Sequence, residues 1–414
     1  MLQISEVSPD TPAIPLPLDG VRVIDLTNVI AGPLASYQLV MLGAEVIKVE
    51  APGQGDLSRI MGADPELNER LMGASFCAMN AGKKSITVNL KNPEGVAIFK
   101  KLVEEADAVI ENFRPGVMDK LGLGYETLKT INPRIVYCAV SGFGQKGPLS
   151  KRPSYDQIIQ GFSGIMSLTG EPNGDPTRAG YVVCDSIAAV TAALALVAAL
   201  YRQQKTGQGE MIDVSMLDVS LSTMAAWPVS NYLNGGHAPK RMGNHNPAAF
   251  PSGTFHTADG SLNIVNNEQH QFERLCDTLG IEELKDDPRF SNRANRAKNR
   301  DVLEPFIVDA LLKRPASEWE VLFEKASVPA GPILTVPEVL DHPQIKSRNL
   351  LKKFTNAHDA GRDIAVMRPG YALAGKAPDV NTPPPVLGQN NAEVLGRLGF
   401  SAERIETLKR HGAI

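Results

Sequence analysis

The sequence predicts an α/β fold, a doubly wound and mostly parallel sheet followed by a second, smaller unit. Three observations carry that expectation. The first half holds short apolar runs of strand length, helical segments with start and stop signals lie between them, and the chain changes character after Ser220.

The elements follow in order. Residues 21–27 (VRVIDLT) form a mostly apolar run suited to a buried parallel strand. Ala31-Gly32-Pro33 opens a helical pattern that reaches Met41 and stops at Gly43, a C-cap residue. Residues 44–50 (AEVIKVE) alternate with period two and read as the next strand. Asn92-Pro93-Glu94 is a helix start, with Asn92 as N-cap and Pro93 in the first helical position, and that helix leads into the apolar residues 108–110. A short helix at 125–130 precedes a strand at 134–140. Residues 227–260, with Pro228, Gly235, Gly236, Pro239, Gly243, Pro247 and Pro251, read as a long linker. Beyond it come a strand at 261–265, a helix at 270–279 and a basic, Asn-rich stretch (289–300) leading to a helix through Leu312. After Pro329 the chain is again Pro-rich and ends in a helix at 403–409.

Composition excludes several function classes. With 42 Lys plus Arg against 46 Asp plus Glu, the net charge of −4 rules out nucleic-acid binding by bulk positive charge. Cys77, Cys138, Cys184 and Cys276 contain no CxxC pair, which argues against a disulfide framework or zinc knuckle and for a reducing compartment. The first 20 residues lack a basic n-region and an apolar core, so neither a signal nor a transit peptide is expected. The Ala-rich apolar stretch at 187–201, about 15 residues, is short for a bilayer span and reads as a buried helix. These features point to a cytoplasmic protein with no membrane and no nucleic-acid partner.

Most tempting motifs fail on context. GFGQKG (142–147) matches G-x-G-x-x-G after a strand, but Pro148 and Pro153 follow where a dinucleotide site needs a helix N-terminus. GKKS (82–85) lacks the upstream glycine of a P-loop, since Cys77 stands there. GFSG (161–164) ends in Ile165 where a nucleophile elbow needs glycine. The histidines show no HxxxH or HExxH spacing, so no metal site is expected. What remains is Asp185, where the apolar run 180–184 meets the Ala-rich helix. Read locally, an Asp there is a helix N-cap. The functional alternative is a carboxylate facing the crevice in which α/β sheets bind ligands.

Several ordered blocks then resemble one family. VIDLTNVIAGP (23–33), LGAEVIKVE (42–50), NAGKKSITVNL (80–90), ENFRPGVMDKL (111–121), SGFGQKGP (141–148), TGQG (206–209) and PVLGQ (385–389) are similar to the class III CoA-transferases, which include formyl-CoA transferase and carnitine CoA-transferase. The resemblance begins near residue 18 and covers nearly the whole chain. It implies a large Rossmann-like, CoA-binding domain built from both chain ends (1–225 and 331–414), a smaller central α+β domain (226–330), and two subunits interlocked as a homodimer.

It also implies chemistry. Asp185 stands where the family has its covalent nucleophile. That carboxylate attacks an acyl-CoA thioester to give an aspartyl anhydride, CoA is recaptured as an aspartyl-CoA thioester, and the acceptor acid leaves carrying CoA. Coenzyme A is thus a substrate, and no permanently bound cofactor is expected. Covalent catalysis splits one difficult acyl transfer into smaller steps, provided water is kept out. Gly142 and Gly144 are the candidate oxyanion-loop residues. By position, Val29, Ala31, Lys83, Asn112, Phe113 and Lys120 fall at CoA-contacting places. Arg241, His245 and Asn246, chosen by composition and position, are candidates to meet the remote carboxylate of a small, dicarboxylic acceptor.

The chain departs from formyl-CoA transferase at Asn28 and Ile30, which replace His and Gln, and at Ala51, which replaces an Arg. Ala189 stands where a glycine often follows the nucleophile. NHNPAA (244–249) replaces the glycine-rich loop that shields oxalate chemistry, which argues against formyl-CoA:oxalate specificity. Two alternatives stay open. One is an α-methylacyl-CoA racemase-type isomerase, whose histidine base is here Ser154-Tyr155-Asp156. The other is a non-catalytic acyl-CoA-binding protein on the same scaffold.

Overall fold

The computed structural model describes residues 15–246, 248–355, 357 and 361–414; the leading segment weighed above for targeting signals lies mostly outside them. The chain forms two compact units. One contains residues up to Ser163, Gly180–Ala226 and Arg348–Ile414; the other contains Gly164–Ala179 and Trp227–Ser347. The sequence reading put the changes at 226 and 331. The structure draws the second at 348 and gives the segment before the Ala-rich helix to the smaller unit.

The larger unit is built on six strands: β1 (Arg22–Asp25), β2 (Glu45–Glu50), β3 (Lys84–Thr87), β4 (Ala108–Glu111), β5 (Val136–Ser141) and β6 (Met211–Ser215). Their order is β3-β2-β1-β4-β5-β6, with every neighbouring pair parallel. The direction of winding reverses between β1 and β4. Open α/β sheets bind ligands outside the carboxyl ends of the strands at that point. The inner strands are apolar because helices cover both faces; the sequence reading missed β3 and β6, the two edges. β6 (MIDVS) leaves its first three residues at least partly exposed, so it carries no continuous apolar run.

Helix α1 (Ala31–Met41) is buried almost all round. Helix α2 (Pro93–Glu104) starts as the sequence predicts: the Asn92 side chain accepts the Glu94 N–H at 2.9 Å and Pro93 follows. Its Ile98, Phe99, Leu102 and Val103 pack against Ile24, Ile47 and Val109 of the sheet. Each such side chain contributes roughly 1.5–3 kcal/mol on burial. Three more helices bear on the site: α3 (Asp156–Phe162), α4 (Val183–Thr206) and α5 (Met216–Thr223). At 24 residues α4 is longer than the apolar stretch suggested, and by length and composition it could cross a membrane. Its Ala188, Ala189, Ala192, Ala193 and Leu196 are nonetheless buried, and it packs against α1 and β5. Small residues let the two helices approach closely.

The C-terminal segment returns to the same core. Val394, Leu395, Ile405 and Leu408 join it, while the Asn390 and Asn391 side chains accept the Ser85 and Thr87 N–H groups of β3 at 3.0 and 2.8 Å. The sheet edge is thereby covered.

The smaller unit pairs β7 (Ser252–His256), β8 (Ser261–Val265) and β9 (Ala330–Pro332) antiparallel. Phe250, Phe255, Phe272, Phe290, Trp319 and Phe323 fill its core. Residues 227–260 are more than a linker: they hold a helical turn around Pro228, the helix Ser230–Gly235 and strand β7.

Gly207 ends α4 in the left-handed conformation at φ 73°. Two residues on, a Cβ on Gly209 would stand 2.0 Å from the Ile135 carbonyl oxygen. Gly209→Ala should therefore force the turn between α4 and β6 away from the Ile135 backbone. A loss above about 2 kcal/mol in denaturant unfolding is expected, the range in which large single-site effects fall, and a variant as stable as the parent would contradict this packing.

Candidate active site

The loops after β1, β4 and β5 meet the start of α4 around a cavity of about 230 Å³. Its wall includes Asn28, Val29, Ile30 and Ala31 after β1, Asn112, Phe113 and Arg114 after β4, Ser141 and Gly142 at the end of β5, and Asp185. This is the winding-reversal point of the sheet, the place where such folds take ligands.

Asp185 is not the N-cap that local sequence favours. Helix α4 starts at Val183 after Val182, so Asp185 is its third residue. The capping acceptor comes from another helix. The buried Asp156, first residue of α3, takes the Cys184 N–H at 2.8 Å and the Asp185 N–H at 3.2 Å on Oδ1. Its Oδ2 accepts Gln160 Nε2 at 2.6 Å. The Asp185 carboxylate is left half-buried, and among the described residues no donor reaches it. Burial first, and the Asp156 carboxylate second, push its pKa up to about 7. The helix N-terminus works the other way, favouring an anion by about 0.3–1 kcal/mol when exposed. A carboxylate so placed is unusually basic and near half-ionised at neutral pH. Sequence reasoning missed Asp156; its only signal was an acid opening a short helix.

The remaining expected residues divide. Val29, Ala31, Asn112 and Phe113 all reach the cavity wall. The Asn112 amide, however, is spent on the chain: Oδ1 accepts the Asn28 N–H and Nδ2 donates to the Asn28 carbonyl, both at 2.8 Å. The Phe113 N–H is held at 2.7 Å by Glu111, a carboxyl that burial raises to about 7. Gly142 lines the cavity, and a Cβ there would stand 1.7 Å from Ser154 Oγ. Gly144 does not line it; it lies against Ser215 and Asp213.

Lys83 is corrected outright. Its side chain is sealed, and its ammonium faces Asp25 Oδ2 (2.9 Å), the Pro33 carbonyl (2.9 Å), Ser36 Oγ (2.8 Å) and Asn80 Oδ1 (2.8 Å). Three N–H groups already meet four acceptors, so none is left for a ligand. Burial lowers its pKa to about 8 against the pull of Asp25. Lys120 is exposed and lines no part of this cavity. The cations that do line it are Arg114 and Arg152, which the sequence reading had not chosen.

Arg241, His245 and Asn246 belong to the smaller unit. Arg241 donates to the carbonyls of Glu171 (3.2 Å) and Gly174 (2.7 Å) and so ties down that segment. His245 and Asn246 line a separate cavity of about 600 Å³ with Trp227, His237 and Lys240. His245 Nε2 lies 3.6 Å from Glu304.

The sequence pattern of CoA-transferase family III matches residues 18–391. An acetyl-CoA:oxalate CoA-transferase of Acetobacter aceti is 44% identical over 362 residues, 86% of this chain and 91% of its own. A succinate–glutarate CoA-transferase of Agrobacterium fabrum is 39% identical over 94% of this chain and 97% of its own. The human succinyl-CoA:glutarate CoA-transferase is 36% identical over 92% and 85%. A solved CaiB/BaiF family protein from Brucella suis superposes with a TM-score of 0.80 at 36% identity, covering 93% of this chain and all of that one. The chain belongs to CoA-transferase family III. It is a CoA-transferase enzyme.

The raised carboxyl has a cost that can be measured. An acid whose folded pKa lies above its unfolded value of about 3.9 destabilises the fold once ionised. The cost begins as pH rises past about 4 and is complete above about 7. Asp185→Asn removes it. The variant's Tm should exceed the parent's by an amount that opens between those values and then levels; a gap that stays constant across pH would contradict the raised carboxyl.

Proposed function

We propose that this enzyme moves CoA from an acyl-CoA donor to a small dicarboxylic acid through Asp185. One observation carries the reading: a basic carboxylate with no donor of its own, held at a helix start in the sheet's ligand crevice. The Asp185 oxygen adds to the thioester carbonyl carbon, the C–S bond breaks, and CoA thiolate leaves an acyl-aspartyl anhydride. The thiolate then attacks the Asp185 carbonyl, releasing the donor carboxylate and forming aspartyl-CoA thioester. The acceptor carboxylate reverses both steps and departs as its CoA thioester. Each step exchanges one oxygen or sulfur anion for another, so no proton is moved and no general base is called for. The cavity wall, which holds no histidine among the described residues, suits that chemistry better than abstraction of an α-proton.

Arg114 and Arg152 are the cations available for the CoA phosphates, and Gly142 is the candidate oxyanion donor. The dicarboxylic assignment rests on the relatives, whose names give oxalate, glutarate, D-citramalate and mesaconate. A matrix of acyl-CoA donors and free acids, oxalate included, read by mass spectrometry, selects among them. In that assay Arg241→Ala and His245→Ala test whether the smaller unit reads the acceptor, and an unchanged acceptor KM in both removes those residues. A homodimer is also proposed. Helix α4 exposes Val190, Leu194 and Tyr201 along one face, a stripe that a second copy would cover.

Activity should rise with pH through about 7 as Asp185 ionises. Asp156→Asn, which keeps a capping oxygen and loses the charge, should move that limb to lower pH. Hydroxylamine added during turnover should trap Asp185 as its hydroxamate, and Asp185→Asn should lose at least about 10³-fold in kcat, as the loss of a covalent nucleophile does. An untrapped peptide with near-normal activity in Asp185→Asn would remove the covalent route.

A further inference from the structure

Three consecutive residues between β1 and α1 are held by side chains of the larger unit, one of them the last residue of β1. The Thr27 N–H and hydroxyl donate to Asp25 Oδ1 at 2.8 and 2.5 Å, and its carbonyl accepts from Lys48 Nζ at 2.7 Å. Asn28 is clasped at both backbone groups by Asn112. The Val29 N–H donates to Asp56 Oδ1 at 3.0 Å. That same oxygen takes the Ser58 N–H at 2.8 Å, while Oδ2 faces Lys48 Nζ at 2.9 Å with both side chains wholly sealed from solvent.

Val29 is the conspicuous member. It stands at φ 71°, in the left-handed region, where a β-branched side chain is a genuine outlier. Such a conformation persists only when its surroundings over-determine it, and it clusters at ligand sites. Val29 lines the cavity that also holds Asp185. A fold that needed only to connect β1 to α1 could place glycine here.

We infer that Asp56, oriented by Lys48, is a positioning residue that holds Val29 in its left-handed conformation and so presets residues 28–31 to receive the CoA thioester. The inference rests on the reading of this cavity as the CoA site. Without the Asp56 acceptor, Val29 relaxes to negative φ and carries Ile30 and the start of α1 with it. Binding must then select the minor conformer, and apparent affinity falls by its population. Glycine populates positive φ about as readily as negative. The clamp should therefore matter for Val29 and hardly matter for Val29→Gly.

The test is a double-mutant cycle on the full chain, read as the Kd of CoA by calorimetry with Tm beside it. Removing Asp56 alone would strand a buried ammonium, so the clamp is removed as the pair Lys48→Met with Asp56→Leu. Replacing a buried ion pair by apolar residues of similar volume is often neutral or stabilising. The paired replacement should raise Kd about tenfold with Val29 in place, about 1.4 kcal/mol, and less than about threefold in the Val29→Gly background. Lys48→Met with Asp56→Asn, which keeps an acceptor oxygen for the Val29 N–H and strands no ammonium, should stay within about threefold in both. Equal losses in the two backgrounds, no loss in either, or a tenfold loss in Lys48→Met with Asp56→Asn would each overturn the clamp. A parent chain that binds no CoA would instead sink the assignment of the cavity, and the clamp with it.

Discussion

The carboxylate of Asp156 on the first N–H groups of α4 is the contact on which the site depends. A helix start needs acceptors, and the residue best placed to serve would be an acid within its first turn. Because α3 supplies that acceptor, Asp185 keeps both oxygens for chemistry. The same contact sets the electrostatics. Two carboxylates share a confined space, one bonded by N–H groups and the other without a donor, and the second is the one driven toward neutral pKa.

Beneath the first loop lies a second polar layer made of ions. Asp25 pairs with Lys83, Lys48 with Asp56, and Glu50 with Arg59, all with almost no exposed side-chain surface. Arg59 donates to both Glu50 oxygens at 2.7 Å and lies 3.7 Å from the centre of the Phe76 ring. Desolvating six charges is expensive, and apolar residues of the same volume would often serve stability as well or better. What apolar residues cannot do is hold backbone groups at set positions. Lys48, Asp25 and Asp56 each spend a polar atom on residues 27–29, directly below the cavity wall. Removing one partner of such a pair costs roughly 3–5 kcal/mol, because it leaves an uncompensated charge.

These two layers share a logic with the sheet. The reversal between β1 and β4 splays the following loops apart and opens a crevice. The Asn28–Asn112 clasp bridges those two loops across it, which keeps the crevice from widening. The cavity is thus bounded by backbone held from behind, leaving Asp185, Arg114, Arg152 and Tyr155 as the ionisable groups among the described residues of its wall.

Much of this was written in the chain locally. Apolar runs in β1, β2, β4 and β5, the Asn92–Pro93 helix start and the glycine after α1 are short-range signals, and they determined the α/β class and most inner elements. The edge strands escaped because neither has an apolar run to show: β6 is half-exposed, and β3, though buried at three of its four residues, carries Lys84, Ser85 and Thr87. Asp185 stood out by position, yet its role could not be separated from capping, since both readings need the same residue at the same helix start. Only tertiary structure decided between them, by bringing Asp156 from 29 positions away to take the cap. Lys83 shows the reverse. A lysine in a family block reads as a ligand contact, and four acceptors from three separate segments consume it instead. Sequence alone determined which elements form. Which polar groups remain free was decided by partners distant along the chain, because a donor or acceptor is available only after every closer claim on it has been met.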